Sequence, residues 1–172
     1  MADTVDGDSY SRKIFDVCSR PKADRNSFIF IVMETQYPKV KNPELVGTYS
    51  ALAKAGGGYV WDDVLEYRVW CHPHDGAENL EDGDYYYSFE TYEEALEFSQ
   101  KTTGAEEPLA LVLQEEYISE PEPGQYEHIK EQRITEWSVE FLKRPRRTSS
   151  TIPDFMSPNA PSNKLDILRG LD

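Results

Sequence analysis

Cysteine is scarce in this sequence, which has only Cys18 and Cys71 among 172 residues. Two thiols cannot form the disulfide framework that stabilises small secreted domains. No early segment places basic residues before an apolar run, as a secretory leader does. No apolar run approaches the ~20 residues of a membrane-spanning helix. We therefore expect a cytoplasmic protein in which both thiols are reduced.

Positive charge is also scarce, because 18 Lys and Arg stand against 32 Asp and Glu, giving a net charge of −14. An acidic surface repels phosphate backbones and anionic lipid headgroups, so we expect neither nucleic acid nor membrane as a partner. A basic protein partner or a cationic substrate suits this charge better. Alternatively, the acidic residues only form a solvated face that keeps the protein monodisperse.

Apolar residues are sufficient for a core of ordinary size, since 38% of the chain is hydrophobic and 12% is aromatic. The length favours one domain. We predict a flexible N-terminus over residues 1–9, a single α+β domain over 10–145 and an extended tail over 146–172. The tail is rich in Pro and Ser and carries only short apolar segments, so it is not expected to order by itself.

The predicted fold is a mostly antiparallel sheet of about five strands with two helices. Apolar runs and alternating patterns indicate the strands. Their predicted positions are 28–37, 64–71, 85–89, 108–118 and 126–137. Alternation along the second strand places Leu65, Tyr67, Val69 and Cys71 on one face and Glu66, Arg68 and Trp70 on the other.

Two capping patterns predict the helices. Asn42-Pro43-Glu44 combines a capping residue, a proline in the first turn and an acid near the positive end of the helix dipole. Its helix would continue to the triple glycine at 56–58. Thr91-Tyr92-Glu93-Glu94 matches a capping box for a second helix, which Gly104 would end.

The segment Cys71-His72-Pro73-His74-Asp75 is the strongest chemical signal in the sequence. A thiol, two imidazoles and a carboxylate are ligands for zinc or another borderline metal ion. We therefore take Cys71, His72, His74 and Asp75 as candidate metal ligands. The alternative is a strand end with a buried Cys71, followed by a polar turn.

A second chemical hypothesis uses a cysteine as nucleophile. Cys18 or Cys71 would be activated by a histidine at position 72, 74 or 128. Buried structural cysteines are the more common case, and no family signature surrounds either residue.

The one basic cluster, 143–147, precedes the tail. It could dock on an acidic partner or fold back on the acidic face of its own domain. The second alternative is intramolecular and therefore costs less entropy.

Three short sequence segments, at 12–21, 70–76 and 134–137, show a resemblance to a known family. Through them the chain resembles, from Tyr10 to Gly170, small bacterial proteins often labelled as GNAT-superfamily N-acetyltransferases. The resemblance implies acetyl-CoA as cofactor and an amine as acceptor. That superfamily holds the CoA pyrophosphate on an Arg/Gln-x-x-Gly-x-Gly/Ala loop before a helix. The junction at 89–94 has three acids and no glycine, so no CoA ligand is assigned.

Two functions from different classes therefore stay open. One is an acetyl-CoA-dependent N-acetyltransferase that acts on an amine. The other is a non-catalytic regulatory protein that engages a protein partner through its acidic face or its C-terminal tail. Catalytic and cofactor-binding residues are unassigned.

Overall fold

The computed structural model describes residues 37–53, 59–80 and 83–171. Several expectations lie outside these residues. They are the flexible N-terminus at 1–9, the role of Cys18, nearly all of the strand at 28–37 and the triple glycine at 56–58. None of the helices described is long and apolar enough to cross a membrane.

Within the described residues, two antiparallel sheets form the framework, which confirms the predicted α+β class. The larger sheet has the strand order β2-β1-β3-β6, and β4 pairs with β5 in a separate hairpin. The strands are β1 (Asp63–Cys71), β2 (Tyr85–Phe89), β3 (Leu109–Gln114), β4 (Tyr117–Glu122), β5 (Gln125–Ile129) and β6 (Arg133–Ser138).

Two predicted strands are each divided in the structure. The run at 108–118 breaks at 115–116 into β3 and β4, because the amide of Glu115 donates to Asp62 Oδ2 at 2.7 Å instead of continuing the ladder. The run at 126–137 breaks at 130–132 into β5 and β6, where three consecutive polar side chains are exposed. The alternation of apolar and polar residues does not by itself reveal such short polar interruptions within a strand.

The predicted second helix is confirmed as α1 (Tyr92–Lys101), and Thr91 Oγ1 accepts a hydrogen bond from Glu94 N at 3.2 Å. The predicted first helix is wrong over its described part, where only a 3₁₀ turn forms at Pro43–Leu45. Gly47 has a left-handed φ of 82°, and its amide donates to Glu66 Oε2 at 2.7 Å. This tertiary contact turns the chain out of a helical path.

A β-bulge in β1 corrects the predicted faces. The pairing with β3 shifts between Val64 and Glu66, so Leu65 lies on the opposite face from Tyr67. Leu65 packs with Leu111 and Leu113, whereas Tyr67 belongs to the main core. The bulge therefore reverses the alternation at one position.

Each face of the larger sheet has its own core cluster. On one face, Ala95 of α1 packs with Val69, Val112 and Trp137. On the other face, the leucine cluster is covered by Tyr49 and by neighbouring partly buried residues. The sheet is therefore covered on both faces, and its ends are left to carry polar groups.

The C-terminal segment at 146–172 is not extended throughout. Two short helices form there, α2 (Thr151–Met156) and α3 (Lys164–Arg169). Ile152, Phe155 and Leu168 pack in a small core with Val60 and Ile118. Earlier residues of the same chain therefore supply the apolar surface that this segment lacks by itself.

The basic cluster folds back on the domain. Arg146 pairs with Asp63, and Arg147 pairs with Asp62 and Glu116. The intramolecular alternative is therefore the one found in the structure.

Candidate metal centre

The β1–β2 hairpin brings two separate sequence positions together. Cys71 is opposite Tyr85 in the register of these strands. His72 directly follows β1, and Asp84 directly precedes β2, so their side chains meet at one end of the pair. His74 lies in the 3₁₀ turn Pro73–Asp75 that follows His72.

These three residues form a compact group of potential ligands. One ring nitrogen from each of His72 and His74 and one carboxylate oxygen of Asp84 all lie within 4.8 Å of one another. His72 Nδ1 is 2.9 Å from Asp84 Oδ1, and His74 Nδ1 is 3.9 Å from the same oxygen. The His72 side chain is only 17% exposed, whereas that of His74 is 70% exposed.

Glu106 completes the surroundings of His72. Its Oε1 lies 2.9 Å from His72 Nε2, on the other side of the ring from Asp84. Backbone pairing fixes this approach, because His72 N donates to Gly104 O and Glu106 N donates to Trp70 O, both at 2.8 Å. The connector after α1 is thereby held against the end of β1.

The two carboxylates set the electrostatics of the His72 ring. Asp84 makes the largest contribution, and with Glu106 it raises the pKa of His72 above the ordinary value of 6.5, while desolvation acts in the opposite direction. Both ring nitrogens are shielded from solvent, and neither makes a hydrogen bond of acceptable angle. Both contacts are therefore ion-pair contacts defined by distance rather than aligned hydrogen bonds.

The other two candidate ligands, Cys71 and Asp75, are not members of this group. Cys71 is fully buried, and its Sγ is 4.0 Å from Val69 O within β1. Asp75 Oδ2 is 3.3 Å from His74 Nε2, but Asp75 is not in the three-residue group. The structure therefore brings together His72 and His74 from the predicted set and adds Asp84.

The contacts described for His128 and Cys71 do not support the nucleophile hypothesis. The third histidine, His128, lies on β5, with its Nε2 2.6 Å from Glu116 Oε2. Cys71 is instead packed inside the sheet.

The junction that would hold CoA in the resembling family is a helix cap here. β2 ends at Phe89 and α1 begins at Tyr92, as predicted. Thr91 Oγ1 accepts from Glu94 N, and Thr91 O accepts from Ala95 N at 3.3 Å. The first turn also carries acidic side chains at 93 and 94, whose charge opposes that of a pyrophosphate.

Comparisons with protein-family models, characterised proteins and solved structures found no match to this chain. No residue role can therefore be transferred from a relative. The site must be interpreted from its own distances, burial and charges. The GNAT resemblance stays a prediction from the sequence.

Proposed function

We propose that this protein binds a divalent transition-metal ion through His72, His74 and Asp84. The supporting observation is that these three potential ligand atoms lie within 4.8 Å of one another. The paired strands β1 and β2 and the turn that follows β1 position them, so the site is built on regular elements of the fold.

The distances suit coordination after small side-chain movements. A tetrahedral ion with bonds of 2.0–2.1 Å needs ligand atoms about 3.3 Å apart. The His72–Asp84 pair is slightly closer than this, at 2.9 Å, and the His74–Asp84 pair is slightly farther, at 3.9 Å. His74 is largely exposed and can rotate toward the ion without disturbing the core.

After a small rotation of the His72 ring, Glu106 would supply the supporting hydrogen bond that metal-binding histidines generally have. A ligating imidazole commonly donates its second ring N–H to a carboxylate, which fixes its tautomer and orientation. If His72 binds through Nδ1, then Nε2 faces Glu106 at 2.9 Å. The same carboxylate partly neutralises a bound cation.

The ligand types favour ions such as Zn²⁺, Ni²⁺ or Cu²⁺, because imidazole suits these metals and hard ions prefer oxygen alone. Three protein ligands leave at least one position for water. The half-exposed Asp84 and the exposed His74 keep this position accessible. We expect reversible binding, unlike that of a closed structural site.

A calorimetric titration with Zn²⁺ of the metal-stripped full chain tests the proposal. We expect one ion per chain, and His72→Ala or Asp84→Asn should weaken binding at least tenfold. Glu106→Gln should weaken it by about 10- to 100-fold. The matched control is His128→Ala, which removes the remaining histidine and should leave binding unchanged. Equal affinity of the His72→Ala and His128→Ala variants would refute the site.

Cobalt substitution tests the ligand set independently. Because Cys71 is fully buried within the sheet, the Co²⁺ spectrum should lack a thiolate charge-transfer band. Cys71→Ser should also bind Co²⁺ as the natural chain does. A thiolate band that disappears in Cys71→Ser would replace this ligand set with the one expected from the sequence.

The two functions expected from the sequence can be tested on the same samples. Acetyl-CoA should raise the melting temperature if the GNAT resemblance is correct, because a ligand bound only to the native state stabilises it. No shift with any CoA ester would remove that hypothesis. Partner binding through the acidic face predicts capture of a basic protein that is lost at high salt.

A further inference from the structure

An open cavity of about 300 Å³ lies at the surface beside the start of β6. Among the described residues, its lining consists of Leu52, Gln132, Arg133 and Ile134. This volume is at the lower end of the range for small-molecule sites. The lining combines one cation and one amide with two apolar side chains, so it offers both charge recognition and apolar contact.

Arg133 is held in place by its neighbours. Its Nε donates to Gln114 Oε1 at 2.5 Å, and its guanidinium carbon lies 3.7 Å from the centre of the Tyr117 ring. Gln114 is fully buried and donates in turn to Val60 O at 2.5 Å. The guanidinium is therefore fixed before any ligand arrives, which lowers the entropy cost of binding.

The charge of Arg133 lacks a carboxylate partner among the described residues, although the chain has 32 acids. By contrast, Arg68 contacts Glu66 and Glu136, and Arg147 contacts three carboxylates. Desolvation lowers the pKa of Arg133, and among the described residues the Tyr117 hydroxyl offsets this effect only in part. Because a partly buried cation without a carboxylate partner is poorly compensated, an anion that binds beside it should stabilise it.

We infer that this cavity binds a small organic carboxylate with a short apolar body. The carboxylate would pair with the guanidinium of Arg133, whose planar fork matches two carboxylate oxygens. The Gln132 amide can add a hydrogen bond. The apolar body would lie against Leu52 and Ile134, which are the apolar part of the lining.

An NMR titration of the full chain with hexanoate, at constant ionic strength, tests this inference. We expect saturable shifts of the amide signals of residues 132–134. Neutral hexanamide should bind at least tenfold more weakly. Inorganic phosphate should also bind more weakly, because it cannot contact Leu52 and Ile134. Equal binding of hexanoate and hexanamide, or tighter binding of phosphate, would overturn the assignment.

Variants locate the site. Arg133→Gln should weaken hexanoate binding at least tenfold. Arg144→Gln is the matched control, since Arg144 also lies over aromatic rings but is not part of the cavity. Leu52 is 92% exposed, so Leu52→Glu should repel the carboxylate without disturbing folding. Unchanged binding in both Arg133→Gln and Leu52→Glu would contradict the inference, whatever the outcome at the metal centre.

Discussion

Arg147 Nε donates a hydrogen bond of 2.8 Å to Asp62 Oδ1, across 85 residues of sequence. The backbone amide of Arg147 also donates to Trp61 O at 2.9 Å. Its Nη1 lies 2.6 Å from Glu116 Oε1. The side chains of Arg147 and Asp62 are 11% and 10% exposed, so this pair is largely withdrawn from solvent. It joins the C-terminal segment to the residue before β1.

Removing this cation should destabilise the fold. Arg147→Gln leaves Asp62 and Glu116 uncompensated and close together, so we expect a loss of about 3 kcal/mol in the free energy of unfolding. Urea denaturation measures the change. Arg146→Gln is the control, because Arg146 is 59% exposed and its pairing with Asp63 is worth at most about 1 kcal/mol. Similar losses in both variants would contradict the assigned role.

Packing of α2 predicts a second stability effect. Ile152 is fully buried in a core that includes Val60 and Ile118, so Ile152→Ala should cost about 3 kcal/mol. Met156 ends the same helix and is 36% exposed. Met156→Ala should therefore cost much less in the same urea experiment. If the two variants are equally stable, the segment is not packed as described.

The sequence correctly predicted the helix and the strand that are determined by residues close to them in the chain. The cap at Thr91 depends on a contact three residues away, and α1 forms where it was expected. β2 spans Tyr85–Phe89, as its aromatic run indicated. In both cases, the residues that determine the element lie within it or directly beside it.

Elements that depend on distant contacts could not be read from the sequence. Gly47 bonds to Glu66 in place of continuing a helix, and the bulge at Leu65 follows from pairing with β3. The apolar residues of α2 pack in one cluster with Val60, which lies about 90 residues earlier in the sequence.

The candidate site was half predictable for the same reason. His72 and His74 are close in sequence, and a local pattern indicated them. Asp84 and Glu106 join them through the β1–β2 register and through pairing after α1. Strand pairing, had it been predicted, would have placed Asp84 beside His72.

A fully buried ion pair yields the third prediction. Arg68 Nε donates to Glu66 Oε1 at 2.6 Å, and both side chains are fully buried. Arg68→Met leaves the Glu66 carboxylate buried without its cation and should cost at least about 3 kcal/mol. Glu66→Gln together with Arg68→Met should recover part of this loss in chemical denaturation. A double variant less stable than Arg68→Met would show that the charge imbalance is not the cause.

Gly104 yields the fourth prediction, because its left-handed φ of 73° and its surroundings both require glycine. A Cβ there would lie 2.4 Å from Ala77 N and 2.8 Å from His72 O. Gly124 has a similar φ of 81°, but no atom lies within 4 Å of its Cβ position. Gly124→Ala should cost about 1–2 kcal/mol from backbone strain alone. Gly104→Ala should cost distinctly more in thermal unfolding, and it should also weaken Zn²⁺ binding; equal losses would refute the steric argument.

The hydroxyl of Tyr59 donates to Glu120 Oε2, and this contact predicts a pH effect. The hydrogen bond, with desolvation, raises the pKa of Tyr59 from 10.0 to about 12. Folding thus favours the neutral phenol, so this contribution to stability is complete below pH 10 and is lost as pH rises toward 12. The pKa of Glu120 is lowered, chiefly by the amide of Gly124, so its contribution is lost instead as pH falls through the acidic range.

Tyrosinate absorbance can measure the alkaline effect, using the difference between the natural chain and Tyr59→Phe to isolate one phenol. We expect a midpoint near pH 12 in this difference. In a Glu120→Gln background the midpoint should move toward 10.0, because the phenol no longer faces a carboxylate. Gln at 120 keeps an oxygen for the Gly124 amide, so the hairpin turn is preserved. A midpoint near 10 in the natural chain would mean that Tyr59 and Glu120 are not in contact in solution.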